Sequence, residues 1–501
     1  MKILNEDYRR LKPDEDCLKL LPIEFVEKYH CLIYSRYEEG IVVLVNNNFE
    51  YSNISKLNYF IKEQLYLSLI NNEEWMELIR LIKLSQNRNQ AINKFQINSD
   101  IISQKALNDN SKVLYKAEIE NAPIVKIIDS IIEEAITLKC SDIHFEPYEN
   151  AIKVKMRIDG KLLDKTSLPI NSLDEVATRI KVLSNLDITK KYFPQDGKLI
   201  YNYNEVDYDI RVSLIPSIYG ERIALRILDV KRGYLNIDEL GFLPSAKELI
   251  NKMINATSGL ILVVGPTGSG KSTTLQAFLS KNLERNENII TVEDPVEYSI
   301  DGISQIQINE EAGLDFAVCL RTILRQDPNI IMIGEIRDLE TAKIACRASI
   351  TGHLVYSTLH TNSSIGVINR LKDMDIESFL LVDALKGIIS QRLVRCLCNH
   401  CKKKVNVSNE EAKILNVDLN TTIFKAQGCG HCNLTGYKGR RGIYEVILID
   451  EDFRKLIIEN APSNKFWKLI KKKNYKTIAD NAIQLVLDGI TTIEEIQSVL
   501  D

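Results

Sequence analysis

Residues 260–283, LILVVGPTGSGKSTTLQAFLSKNL, join a short apolar run to a helix-compatible run through eight residues, GPTGSGKS, of which three are glycine. Those glycines let backbone N–H groups wrap an anion, Lys271 neutralises the β and γ oxygens of a nucleoside triphosphate, and the Ser272 hydroxyl can ligate Mg²⁺. The expected nucleotide loop is therefore Gly265, Pro266, Thr267, Gly268, Ser269, Gly270, Lys271, Ser272 and Thr273, with ATP and Mg²⁺ as cofactors. An apolar strand before the loop and a helix after it predict an α/β domain, with its site at the carboxyl ends of parallel strands.

The same pattern repeats through the rest of that domain, residues 240–501, where LILVV, IITV, IIMI and LVYS each lead into a polar motif. IIMIGEIRD places Glu335 after a strand, where a carboxylate could orient and deprotonate water. ITVEDPVEY places Glu293 and Asp294 at another strand end, and Asp294 before Pro295 also reads as a turn or helix cap. TGHLVYSTLHTN carries His353 and His360 on either side of a fourth strand, which makes His360 a candidate phosphate contact or sensor.

Upstream, residues 1–85 read as a small α/β module around GIVVLVNN, and the polar residues 86–120 read as a flexible linker. Residues 121–233 form a second module with period-two strands, among them IKVKMRID, VDYDIRVS and RIALRIL. That alternation puts Arg211 and Arg226 on polar strand faces.

Lys and Arg number 64 against 68 Asp and Glu, so a net charge of −4 supplies no global field for a nucleic-acid backbone. No apolar run reaches the roughly 18–20 residues of a membrane span, and the amino terminus lacks a secretion-signal core. A cytoplasmic protein is expected. Among ten cysteines, six look like buried structural thiols, whereas Cys398, Cys401, Cys429 and Cys432 form two CxxC pairs in LCNHCKKK and GCGHCNLTGYKGRRG. Four thiolates so arranged suit a closed, structural Zn²⁺ site within residues 396–442.

The order GPTGSGKSTTL, TVEDPVEY, RQDPNIIMIGEIRD, TGHLVYSTLHTN and paired cysteines resembles the secretion ATPases of type II secretion and type IV pilus assembly. The likeness extends over residues 120–501, including SDIHFEPY, RIDGKL and PQDGKL. It implies a RecA-like ATPase domain, a PAS-like α+β second domain and a first domain that docks a partner. It also implies catalytic roles for Lys271, Glu293, Glu335 and His360, and nucleotide-contacting roles for Arg211, Arg226, Arg321 and Arg325. Asn329 and Ser363 depart from the family pattern, each standing where an acid is usual. The resemblance further implies a homohexamer, peripheral to the membrane through an inner-membrane platform protein and a cytoplasmic docking protein. The presence of a first domain and of cysteine pairs points to an assembly motor and not a retraction motor. A docking scaffold with negligible hydrolysis and a DNA-uptake motor are the alternatives.

Overall fold

A computed structural model describes residues 2–4, 7–38, 40–105, 123–228, 236–361 and 363–500. The chain divides into two units, one of Met1–Val230 with Asn399–Cys401 and Gln427–Gly436, the other of Lys231–Cys398, Lys402–Ala426 and Tyr437–Asp501.

In the first unit, strands β1 (Lys2–Ile3), β2 (Cys31–Tyr37), β3 (Gly40–Val45) and β4 (Gln64–Leu69) form a mixed sheet in the order β1-β4-β3-β2. Six more strands follow: β5 (Asp142–Pro147), β6 (Ala151–Ile158), β7 (Lys161–Pro169), β8 (Gln195–Tyr203), β9 (Val206–Ser217) and β10 (Gly220–Leu228). They make an antiparallel sheet in the order β7-β6-β5-β10-β9-β8. Ile152, Val154 and Met156 are fully buried, and they share a core with the apolar residues of helices Pro123–Thr137 and Leu173–Leu183. The alternation seen in the sequence is thus a sheet covered by helices on one face.

The expected linker is corrected over residues 86–105, which continue a helix that runs Asn72–Lys105. Trp75, Ile79 and Ile82 of this helix pack into the first core, while Ala91 packs into the second and Arg88 pairs with Glu134. A polar segment with few apolar residues becomes helical because those few meet two different cores. Residues 106–120 of the expected linker lie outside the described residues.

In the second unit, strands β11 (Gly259–Val264), β12 (Ile289–Glu293), β13 (Ser304–Gln307), β14 (Ile330–Ile333), β15 (Leu354–Leu359) and β16 (Leu385–Leu397) pair in parallel. Strands β17 (Lys403–Asn406) and β18 (Thr422–Lys425) form a separate two-stranded antiparallel sheet, and β19 (Tyr437–Leu448) pairs antiparallel to β16. The main sheet runs β13-β12-β14-β15-β11-β16-β19. Leu260, Leu262 and Val264 face one buried cluster and Ile261 and Val263 another, so both faces of β11 are covered. Its unbroken apolar sequence has this cause. Among the described residues no helix is long and apolar enough to cross a membrane.

Candidate nucleotide site and metal knuckles

Sheet register assembles the site. Val264 lies opposite Leu359, and Ile333 opposite Ser357. The residues just beyond these strands, Gly265, His360 and Glu335, therefore follow one another along a single carboxyl edge. His360 Nε2 donates to Glu335 Oε2 at 2.8 Å. Two sequence candidates 25 residues apart become one hydrogen-bonded pair.

The loop is anion-shaped without any ligand. Gly265 and Gly270 adopt φ of 153° and 86°, and a Cβ at Gly265 would come within 2.4 Å of the Gln391 carbonyl oxygen. Helices Phe316–Ile323, Leu339–Ile350 and Ser364–Asp373 begin under the side chains of Asp315, Asp338 and Ser363. Helix Lys271–Leu283 begins instead at Gly270 with no side-chain cap, which leaves its first N–H groups for an external acceptor. Lys271 Nζ donates to the carbonyls of Gly265 and Pro266 at 3.0 and 3.2 Å. Burial pulls its ammonium below the ordinary lysine range; the Glu335 carboxylate opposes that shift and the Arg392 guanidinium adds to it. Ser272 is exposed at the second residue of the helix and Thr273 is half-buried beside it. The loop's donors, lysine and hydroxyl fit Mg-ATP.

Glu293 ends β12 and is 8% exposed, its Oε1 accepting from Thr291 Oγ1 at 2.7 Å and Gln305 Nε2 at 3.0 Å. Burial raises its carboxyl above the usual range. Glu335 and Glu293 thus differ: one carboxylate is tied to a histidine at the strand edge, the other is enclosed. Asp294 does not cap a helix; its Oδ2 accepts from Arg337 Nη2 at 3.3 Å. His353 sits at the opposite end of β15 from His360 and bonds the Ala348 carbonyl through Nδ1 at 2.9 Å, a structural role. Arg321 pairs with Glu340, and Arg325 donates to the Arg321 carbonyl at 2.8 Å, so their contacts lie along the helices and not at the loop.

Sequence reasoning passed over three residues. Gln391 is 1% exposed; its Nε2 donates to the Ser269 carbonyl at 2.6 Å and its Oε1 accepts from Thr274 Oγ1 at 2.8 Å, fastening both ends of the loop's last turn. Arg392 beside it places a second cation near Lys271. Arg337 binds both Glu335 and Asp294. The signal was present as polar residues directly after the apolar GIIS and IIMI runs, and it becomes meaningful only with the strand order.

Both departures from the family pattern have hydrogen-bonded places in the fold. Asn329 stands at the amino end of β14, where its Oδ1 accepts from Asn288 N at 2.8 Å, far along the strand from Glu335. Ser363 caps its helix through the Gly366 N–H at 3.1 Å, the service an acid would render there.

In the first unit, Arg211 and Arg226 are direct cross-strand partners on β9 and β10. Register extends the row to Lys198 on one side and to Asp142 and Arg157 on the other. Directly opposed like charges are unfavourable, and Asp142, 3.1 Å from Arg226 and 3.3 Å from Arg157, together with Asp209, 2.5 Å from Lys198, offsets this. One register row across the polar face predicted from alternation therefore reads Lys198, Arg211, Arg226, Asp142 and Arg157, with Asp209 beside it on Lys198.

Cys398, Cys401, Cys429 and Cys432 are all buried, with sulfurs within 4.8 Å of one another. The Cys401–Cys432 and Cys429–Cys432 sulfur distances are 3.8 and 3.7 Å. Tetrahedral thiolates about 2.3 Å from zinc lie about 3.8 Å apart. Backbone N–H groups of Cys429 and Gly436 also donate to the Cys432 sulfur at 3.2 and 3.1 Å, favouring a thiolate. The donor set therefore fits Zn²⁺. Cys17, Cys31, Cys140, Cys319 and Cys346 are buried as expected, whereas Cys396 is only half-buried.

Comparison with known proteins bears on these motifs together. The family described as Type II/IV secretion system protein matches residues 117–498. Type II secretion system protein E of Pseudomonas aeruginosa is 45% identical over 382 residues, 76% of this chain and 76% of that one. The type IV pilus assembly ATPase PilB of Thermus thermophilus is 41% identical over 383 residues, covering 76% of this chain and 43% of that longer one. The structure of the Legionella pneumophila ATPase DotB aligns at a TM-score of 0.57 and 20% identity, over 78% of this chain and 98% of that one, a likeness of fold. With its nucleotide loop, Glu335–His360 pair and tetracysteine cluster in place, the chain belongs to the Type II/IV secretion system protein family.

Proposed function

We propose that this protein is a Mg²⁺-dependent ATP hydrolase that works as a homohexamer and powers assembly of a type IV pilus or a type II secretion pseudopilus. The observation that carries the reading is the Glu335–His360 hydrogen bond on the strand edge beside the phosphate loop. Lys271 binds the β and γ oxygens, and Ser272 holds Mg²⁺, which supplies charge neutralisation on the triphosphate. Glu335 accepts a proton from the attacking water as the bond between the γ phosphorus and the bridging oxygen breaks, and His360 fixes the carboxylate's orientation. Glu293 holds the strand end next to it, enclosed by Thr291 and Gln305. Arg211 and Arg226, arriving by domain closure, stabilise charge on the transferring phosphoryl group, and Arg321 and Arg325 join them only by leaving their contacts along the helices.

Closure and release turn an inner-membrane platform protein, with residues 1–85 engaging a cytoplasmic docking protein. The chain then sits at the cytoplasmic face of the membrane through its partners, with Zn²⁺ in the cysteine knuckles as a structural ion. Hydrolysis measured alone, with the platform protein and with DNA tests this reading. Stimulation by the platform protein is expected. Absence of hydrolysis under all three conditions would reduce the chain to a docking scaffold, and stimulation by DNA alone would make it a translocase.

A further inference from the structure

The two CxxC knuckles carry histidine at the same place, CNHC at 398–401 and CGHC at 429–432. The fold uses this repetition. His400 and His431 meet edge to face with ring centroids 4.3 Å apart. A ligand atom from each, together with one from Glu74, lies within 4.8 Å of the others, and all three residues are half-buried. None of the three belongs to the tetracysteine set, and the nucleotide chemistry uses none of them.

Their surroundings are built for close approach. Glu74 lies in the first turn of helix Asn72–Lys105, its backbone N–H held by Asn71 Oδ1 at 2.8 Å. Tyr8 Oη donates to Glu74 Oε2 at 2.6 Å, and Arg9 Nη1 to Oε1 at 3.3 Å. A carboxylate offers about four lone-pair positions, so these two donors leave room for another electrophile. Asp7 Oδ2 stands 3.8 Å from His400 Nδ1, beyond hydrogen-bond reach, so it acts on the ring through its charge. Among the described residues, the Arg9 guanidinium pairs with both the Asp7 and the Glu74 carboxylates. Gly430 N donates to the Leu11 carbonyl at 3.4 Å, and a Cβ on Gly430 would fall 1.9 Å from Tyr34 Oη. Only glycine lets the second knuckle come this near the amino-terminal module.

We propose that Glu74, His400 and His431 bind a second divalent transition-metal ion, Zn²⁺ by preference, which clamps the amino-terminal module onto the knuckles. Two imidazoles and one carboxylate are a zinc-type donor set, distinct from the four thiolates of the first site. Because the ligands come from separate parts of the chain, the ion holds those parts together in the way that structural metals contribute folding energy.

The test counts metal. Full-length protein is equilibrated with Zn²⁺, desalted and assayed by mass spectrometry for zinc per chain, with a chelator-competition titration for affinity. Wild type should hold about two zinc ions and Glu74→Gln about one, since that substitution leaves both knuckle sequences intact. His431→Gln should match it. Asp7→Asn should keep two sites while weakening the second by about 10-fold. Amide hydrogens of residues 7–11 should exchange more slowly in the two-zinc form than in Glu74→Gln. A wild type that holds one zinc per chain would overturn the proposal, as a cluster held by ion pairs alone predicts. Two zinc ions retained in both Glu74→Gln and His431→Gln would overturn it equally.

Discussion

The parallel sheet around β11 and the antiparallel sheet of β5–β10 organise polar residues in different ways. In the first, both faces are buried, so polar side chains collect past the strand ends, and Gly265, His360 and Glu335 follow from register. In the second, one face is left to polar residues, and its cations, Lys198, Arg211, Arg226 and Arg157, lie across the strands. An edge makes a self-contained pocket, whereas an open face needs something to close on. On the proposed reading the first region supplies the bond-breaking machinery and the second supplies charge that acts only on engagement.

Each half of that contrast can be broken. Lys271→Ala should lower ATP hydrolysis by at least about 10³-fold and weaken nucleotide binding, because the β and γ charge loses its partner. Wild-type turnover would show that the loop is not the hydrolytic site. Arg211→Ala and Arg226→Ala should each cost about 10²-fold or more in turnover while ATP binding is kept. If they are surface ion-pair residues, the loss is at most about 1 kcal/mol of stability and turnover stays normal. Gln391→Ala removes two buried hydrogen bonds from the loop, so ATP affinity should drop about 10-fold, with a lower melting temperature of the second unit, which contains both bonds. Unchanged affinity would mean the loop holds its shape without β16. Replacing Cys398 and Cys432 together with Ser should remove the thiolate-bound zinc and loosen residues near the knuckles, yet shift ATP affinity by less than about 3-fold. Loss of nucleotide binding in that variant would show that the two regions are not separable.

Much of this contrast was legible in the chain itself. Strand-then-motif order put the glycine-rich loop, Glu335 and His360 just past strand ends, where the fold has them, because a buried parallel strand is uniformly apolar and its end is marked by the first polar residue. Gln391, Arg392 and Arg337 were not legible, since their meaning depends on which strand lies beside which. Asn329 stands where the family usually has an acid, but β14 carries it at the opposite end from Glu335. The helix Asn72–Lys105 was hidden for another reason. Its apolar residues are divided between two cores, so neither half shows a full amphipathic stripe. Nor could spacing alone reveal that the two knuckle histidines touch, which needs the knuckles folded against each other.

In the proposed mechanism Glu335, and not the enclosed Glu293, takes the proton from water. Steady-state hydrolysis of Glu335→Gln and Glu293→Gln, measured side by side with Mg-ATP binding, addresses it most directly. Glu335→Gln should bind Mg-ATP as wild type does and turn over at least about 10²-fold more slowly. Glu293→Gln, whose amide can keep the bonds from Thr291 and Gln305, should lose less than that. An inactive Glu293→Gln beside an active Glu335→Gln would contradict the assignment and move the base to β12.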